Sequence, residues 1–161
     1  MARRPEQLGR DYAQGWGLLA NLPGWSTRRA PRVLVEVGDG AEAFARLRVL
    51  EAAGYHVSWC PGPDGHPARR CPLVTEGNCP LVDAADVVVT ALRLHQASTR
   101  DVLDAIARAR PELPVVVEAT APSAARWADA VGDRPVICAP TSSTELVAAV
   151  GEALREAPAL R

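Results

Sequence analysis

Five short apolar runs spaced along the chain constrain its fold more than any other feature. They are RVLVEV (32–37), YHVSW (55–59), DVVVTAL (86–92), PVVVEA (114–119) and PVICA (135–139). Their near-continuous, β-branched character is that of strands covered on both faces, not of strands with one wet side. Between them lie helix-like stretches. AEAFARLRVLEAAG (41–54) carries Phe44, Leu47, Leu50 and Ala53 at helical spacing, with Gly54 as its stop. STRDVLDAIARARP (98–111) opens with Ser98 and Asp101 spaced as a capping box. A weak helix is expected near 123–130. SSTELVAAVGEALRE (142–156) opens with a second capping box, Ser142 and Glu145.

Strands that alternate with helices form parallel sheets, because each crossover returns the chain to the same edge. Right-handed crossovers over about 125 residues predict one α/β domain with helices on both faces of a five-stranded parallel sheet. The expected architecture is flavodoxin-like, with strand order 2-1-3-4-5. The domain is expected over 31–157, with an N-terminal arm (1–30), a Cys/Pro-rich loop (60–83) and a short tail (158–161).

Composition narrows the function classes. Of 161 residues, 48% are hydrophobic and 23% charged, the balance of a folded domain. No apolar run approaches the roughly 18 residues of a membrane span, and no signal-peptide core follows the first arginines. A cytoplasmic protein without a membrane partner is expected. The net charge of -1 gives no reason to expect nucleic acid as partner. All 18 basic residues are arginine. Without lysine, no Schiff base or lysine-dependent phosphate chemistry is available.

PRVLVEVGDGAEAFARLRVLEAAGYHV (31–57) resembles the first βαβ unit of a two-component receiver domain. ADVVVTALRL (85–94) resembles its third strand, LPVVVEAT (113–120) its fourth, and PVICAPTSSTELVAAVGEAL (135–154) its fifth strand and last helix. The resemblance implies an acidic pair after the first strand to hold Mg²⁺; the matching positions are Glu36 and Val37, with Asp39 nearby. It implies an aspartate nucleophile where this chain has Ala91. It implies a hydroxyl where Ala119 stands beside Thr120, and a lysine before proline where Ala139 precedes Pro140. Nucleophile and lysine are both missing, so the expectation is a degenerate pseudo-receiver. Such a domain is not an enzyme and acts through protein partners.

CPGPDGHPARRCPLVTEGNCPL (60–81) sits where a receiver carries its second helix. Pro61, Pro63, Pro67, Pro72 and Pro80 preclude a full-length helix there. Four uses of its cysteines are weighed: an ordered loop with buried, inert thiols and no cofactor; a metal or iron–sulfur site; a disulfide or redox pair; and a haem site with a Cys–Pro thiolate. A zinc site would use Cys60, Cys71 and Cys79 with His66. The C-x5-H-x4-C-x7-C spacing lacks the Cys-x-x-Cys knuckle that makes zinc signatures specific. Cys138 is expected in the core of the fifth strand, remote from the loop.

The arm holds Arg3, Arg4, Arg10, Arg28 and Arg29 against Glu6 and Asp11, together with Trp16 and Trp25. It is too broken by glycine and proline for a core of its own. Its rings are expected to pack on the domain or on a twin, which favours a homodimer.

Overall fold

A computed structural model of the chain describes residues 30–63 and 70–157. Five parallel strands form one sheet: β1 (Arg32–Glu36), β2 (His56–Cys60), β3 (Val87–Thr90), β4 (Val115–Ala119) and β5 (Val136–Cys138). Their spatial order is β2-β1-β3-β4-β5, the order expected from the sequence pattern. The helices are α1 (Gly40–Ala52), α2 (Pro72–Glu76), α3 (Pro80–Ala84), α4 (Ala97–Ala109), α5 (Ala121–Arg126), α6 (Ala128–Val131) and α7 (Ser143–Glu156). The arm and the tail lie outside the described residues.

Strand alternation divides the core into two layers. Val33, Val35, Val87, Val89 and Val116 pack with Leu50 of α1 and Leu146 and Val150 of α7. Leu34, Val88, Val115 and Val117 face the other way, against Leu81 and Val82 of α3 and Val102, Leu103 and Ile106 of α4. With both faces covered, β1, β3 and β4 are apolar along most of their length, and the buried polar side chains Glu36, Thr90 and Glu118 stand at or near their carboxyl ends.

The helix ends bear out some spacings and correct others. Ser142 Oγ accepts from Glu145 N at 3.2 Å, and a Glu145 carboxylate oxygen accepts from Ser142 N at 3.1 Å, closing the capping box of α7. Gly54, one residue past the cap of α1, has φ +90°. Ser98 is not the cap of α4, which starts earlier: its N-cap is Gln96, whose side chain makes no capping bond. The buried stripe of α1 also differs from the expected one. Ala43 and Leu50 are buried with Arg46 and Leu47 beside them, while Phe44, one residue out of phase, is 65% exposed. Cys138 is exposed on the edge strand β5, not in the core.

Candidate functional site

The functional end of such a sheet is the carboxyl end of its strands, where the loops gather. In the parallel register Glu36 of β1 stands between Cys60 of β2 and Thr90 of β3. All three side chains belong to the layer of Leu34 and Val88, so they form a lateral row at the top of the sheet. The row is dry: Glu36 is 3%, Thr90 2% and Cys60 5% exposed. Glu36 Oε2 and Thr90 Oγ1 are both buried without a hydrogen-bond partner. A buried carboxylate left this way is costly. Burial pushes the Glu36 carboxyl up to about 7, with the neighbouring Thr90 hydroxyl opposing the shift.

The loop beyond β2 returns its other two cysteines to this row. Two of the three Cys–Pro pairs start a helix: Cys71 precedes α2 and Cys79 precedes α3, both with extended backbone. Proline at the first helical position presets φ and gives up no needed donor, and it holds the preceding residue extended. The dipeptides therefore have a structural role. The turn after Cys60 depends on Gly62, whose φ is +65° and whose added Cβ would meet Leu92 Cδ1 at 2.8 Å. Cys60 and Cys79 are buried in the core layer of α3 and α4, with Cys71 packed against it.

Burial raises all three thiols above the ordinary cysteine range. Cys60 is raised most, with the Glu36 charge adding to burial and the Gly62 N–H, 3.3 Å from its sulfur, opposing it. At Cys71 and Cys79 burial also dominates, opposed by backbone N–H groups of Leu73 and Val74 and of Leu81 and Val82. Each thiol also senses the Glu36 charge. The site thus combines three thiols raised by burial with a buried carboxyl whose Oε2 has no hydrogen-bond partner. His66, the fourth zinc ligand weighed above, lies outside the described residues. Among the described residues, no group of three or more His, Cys, Asp or Glu side chains is placed to hold a metal ion, and all four cysteines are free.

The receiver-type phosphorylation positions lie on the other side of β1. A cleft of about 230 Å³ is lined by Val37, Gly38, Asp39, Glu42, Ala91 and Gln96, among others. Glu36, matched to the acidic pair in the sequence, is absent from its lining and faces the cysteines instead. Asp39 Oδ1 caps α1, accepting from Ala41 N and Glu42 N at 2.9 Å each. Ala139 lines a second cleft, of about 480 Å³, with Arg46, Glu118 and Thr120. The Arg46 guanidinium there donates to both Glu118 oxygens at 2.7 Å, so its charge is already paired.

No family model matches the sequence, and no curated protein matches it either. Solved structures do match. A candidate pilus assembly-related protein of Burkholderia pseudomallei superposes with TM-score 0.61 at 22% identity, over 80% of this chain and 92% of that one. A response regulator receiver domain protein of Clostridium thermocellum gives TM-score 0.59 at 20% identity, over 78% and 94%. A member of a streptococcal family of redox sensors that evolved from two-component response regulators gives 0.58 at 14% identity, over 78% of this chain and 52% of that one. At these identities the likeness speaks of architecture, and together with the strand order it establishes that the chain has the response-regulator receiver fold.

Proposed function

We propose that this chain is a receiver-like regulatory or scaffolding domain that acts without phosphorylation and without catalysis, through protein–protein contacts in the cytoplasm. The observation that carries this is Ala91 in the cleft where the receiver fold would present its aspartate. Ala139 in place of the lysine, and Arg46 already paired with Glu118, point the same way. No helix among the described residues is long and apolar enough to cross a membrane. A homodimer is part of the proposal. With acetyl phosphate and Mg²⁺, the intact mass should stay unchanged. Light scattering of the same sample should give about twice 17.1 kDa before and after treatment. A stable acyl-phosphate adduct on the folded protein would sink the phosphorylation-independent reading, and a monomer would sink the dimer.

A second reading uses Cys60, Cys71 and Cys79, which pack in or against one core layer. It is a redox sensor in which these thiols, with His66, hold zinc, an iron–sulfur cluster or haem. The streptococcal family of redox sensors that evolved from response regulators is a precedent for redox sensing on this fold. Elemental analysis and a visible spectrum of anaerobically purified protein separate the two. Stoichiometric zinc or iron, or a Soret band, selects the sensor; a colourless, metal-free, folded protein excludes it.

A further inference from the structure

We propose that Cys71 and Cys79 are an oxidisable pair that closes into a reversible disulfide on reaction with a low-molecular-weight disulfide, over the buried Glu36 carboxyl. The inference stands on the thiol cluster and does not depend on the receiver-like reading.

Four observations converge on this pair. Cys71 is the one member of the cluster with partial exposure, whereas Cys60 and Cys79 are buried. An incoming oxidant therefore meets Cys71 first. Cys79 packs into the same core layer against which Cys71 rests, and its thiol senses Cys71 as well as Glu36. Both residues occupy helix N-cap positions, where the N–H groups of Leu73 and Val74 lie near the Cys71 sulfur and those of Leu81 and Val82 near the Cys79 sulfur. The two five-residue helices they start follow one another directly, separated by Gly77, at φ +75°, and Asn78 before Cys79. Cys60 is more constrained, because its backbone belongs to the β1–β2 ladder.

Glu36 gives the pair its proton acceptor. Its Oε2 is buried without a partner on the layer that holds the three thiols, where a wholly structural core would carry an aliphatic side chain.

The chemistry balances as ordinary thiol–disulfide exchange. The Cys71 thiolate attacks one sulfur of R–S–S–R; the S–S bond breaks, and RS⁻ leaves and takes the proton that Cys71 gave up. Cys79 passes its proton to Glu36 and attacks the Cys71 sulfur of the mixed disulfide. The second RS⁻ leaves and is protonated from Glu36. Two protein thiols are oxidised by two electrons, and one R–S–S–R is reduced to two R–SH.

The test uses the full-length chain, reduced and then incubated with oxidised glutathione, with any adduct on the exposed Cys138 mapped separately and subtracted. After alkylation of the remaining thiols, intact mass and peptide mapping are read. The expected result is a mass loss of about 2 Da before alkylation, two thiols protected, and a Cys71–Cys79 cross-link that dithiothreitol reverses. Cys60→Ser should form the same link. Cys79→Ser should stop at a single glutathione adduct on Cys71, and Glu36→Gln should accumulate that adduct by slowing its resolution several-fold. A link through Cys60 or Cys138, stable adducts without a link, or no reaction of the folded protein would each overturn the proposal. So would stoichiometric metal that shields these thiols until it is chelated. Unchanged resolution in Glu36→Gln would overturn the role given to Glu36.

Discussion

Replacing Glu36 by glutamine is expected to stabilise the protein at about pH 7.5 relative to its effect at about pH 4.5, by about 3 kcal/mol. The direction follows from linkage. Burial raises the folded carboxyl from 4.5 to about 7, so the folded state binds this proton more tightly than the unfolded chain does. Below the unfolded value both states are protonated and Glu36 costs no charge burial. As pH rises from 4.5 towards 7, the unfolded chain releases its proton first and stability falls. Above about 7 the cost is complete. Glutamine removes the titration while keeping size and polarity, and whatever its own burial costs is the same at both pH values. Urea unfolding of both proteins under reductant, at the two pH values, checks this. The thiols stay protonated over that window in both proteins and cancel. An equal difference at both pH values would mean that Glu36 has a partner holding its charge.

Much of this was written locally in the sequence. Near-continuous apolar runs fix strands that are buried on both faces, and those runs lie in the sheet in the order their crossovers imply. Glu36 was harder to place. Alignment by resemblance set it among Mg²⁺ ligands, whereas the period-2 alternation of RVLVEV puts it on the face of Leu34, opposite Val35 and Val37. That alternation, with Cys60 at the corresponding end of β2, was the available signal for a carboxyl among thiols. What no spacing discloses is that Cys71 and Cys79, ten and more residues along a proline-rich loop, return to the same place. That depends on two Pro-started helices packing onto the sheet, a matter of tertiary contact. The phase error in α1 has the same origin. Phe44 looked like core because it is apolar and stands at helical spacing with Leu47 and Leu50. The helix buries the stripe of Ala43, Arg46, Leu47 and Leu50 instead, and an arginine is tolerated in it because Glu118 waits at the end of β4.

That pairing carries the second large effect. Arg46→Met should cost about 3 kcal/mol, because it leaves Glu118 as an uncompensated buried charge. Methionine keeps most of the aliphatic stem that packs along α1 and removes the guanidinium. Glu118 is 6% exposed, and its two oxygens receive the two parallel donations at 2.7 Å. The other partner of Arg46, the exposed Glu42 carboxylate at 3.6 Å, adds at most about 0.5 kcal/mol, as a solvated i,i+4 pair does. The pair ties α1 to β4 across the sheet, at the edge of the larger cleft. The decisive variant is therefore the double one. Arg46→Met with Glu118→Leu removes both charges together, and an apolar pair in the same space should recover most of the loss. Chemical unfolding of the two singles and the double closes a cycle whose coupling should exceed about 1.5 kcal/mol. A double mutant no more stable than Arg46→Met would show that Glu118 is solvated when unpaired, and that the stripe of α1 does not need its arginine.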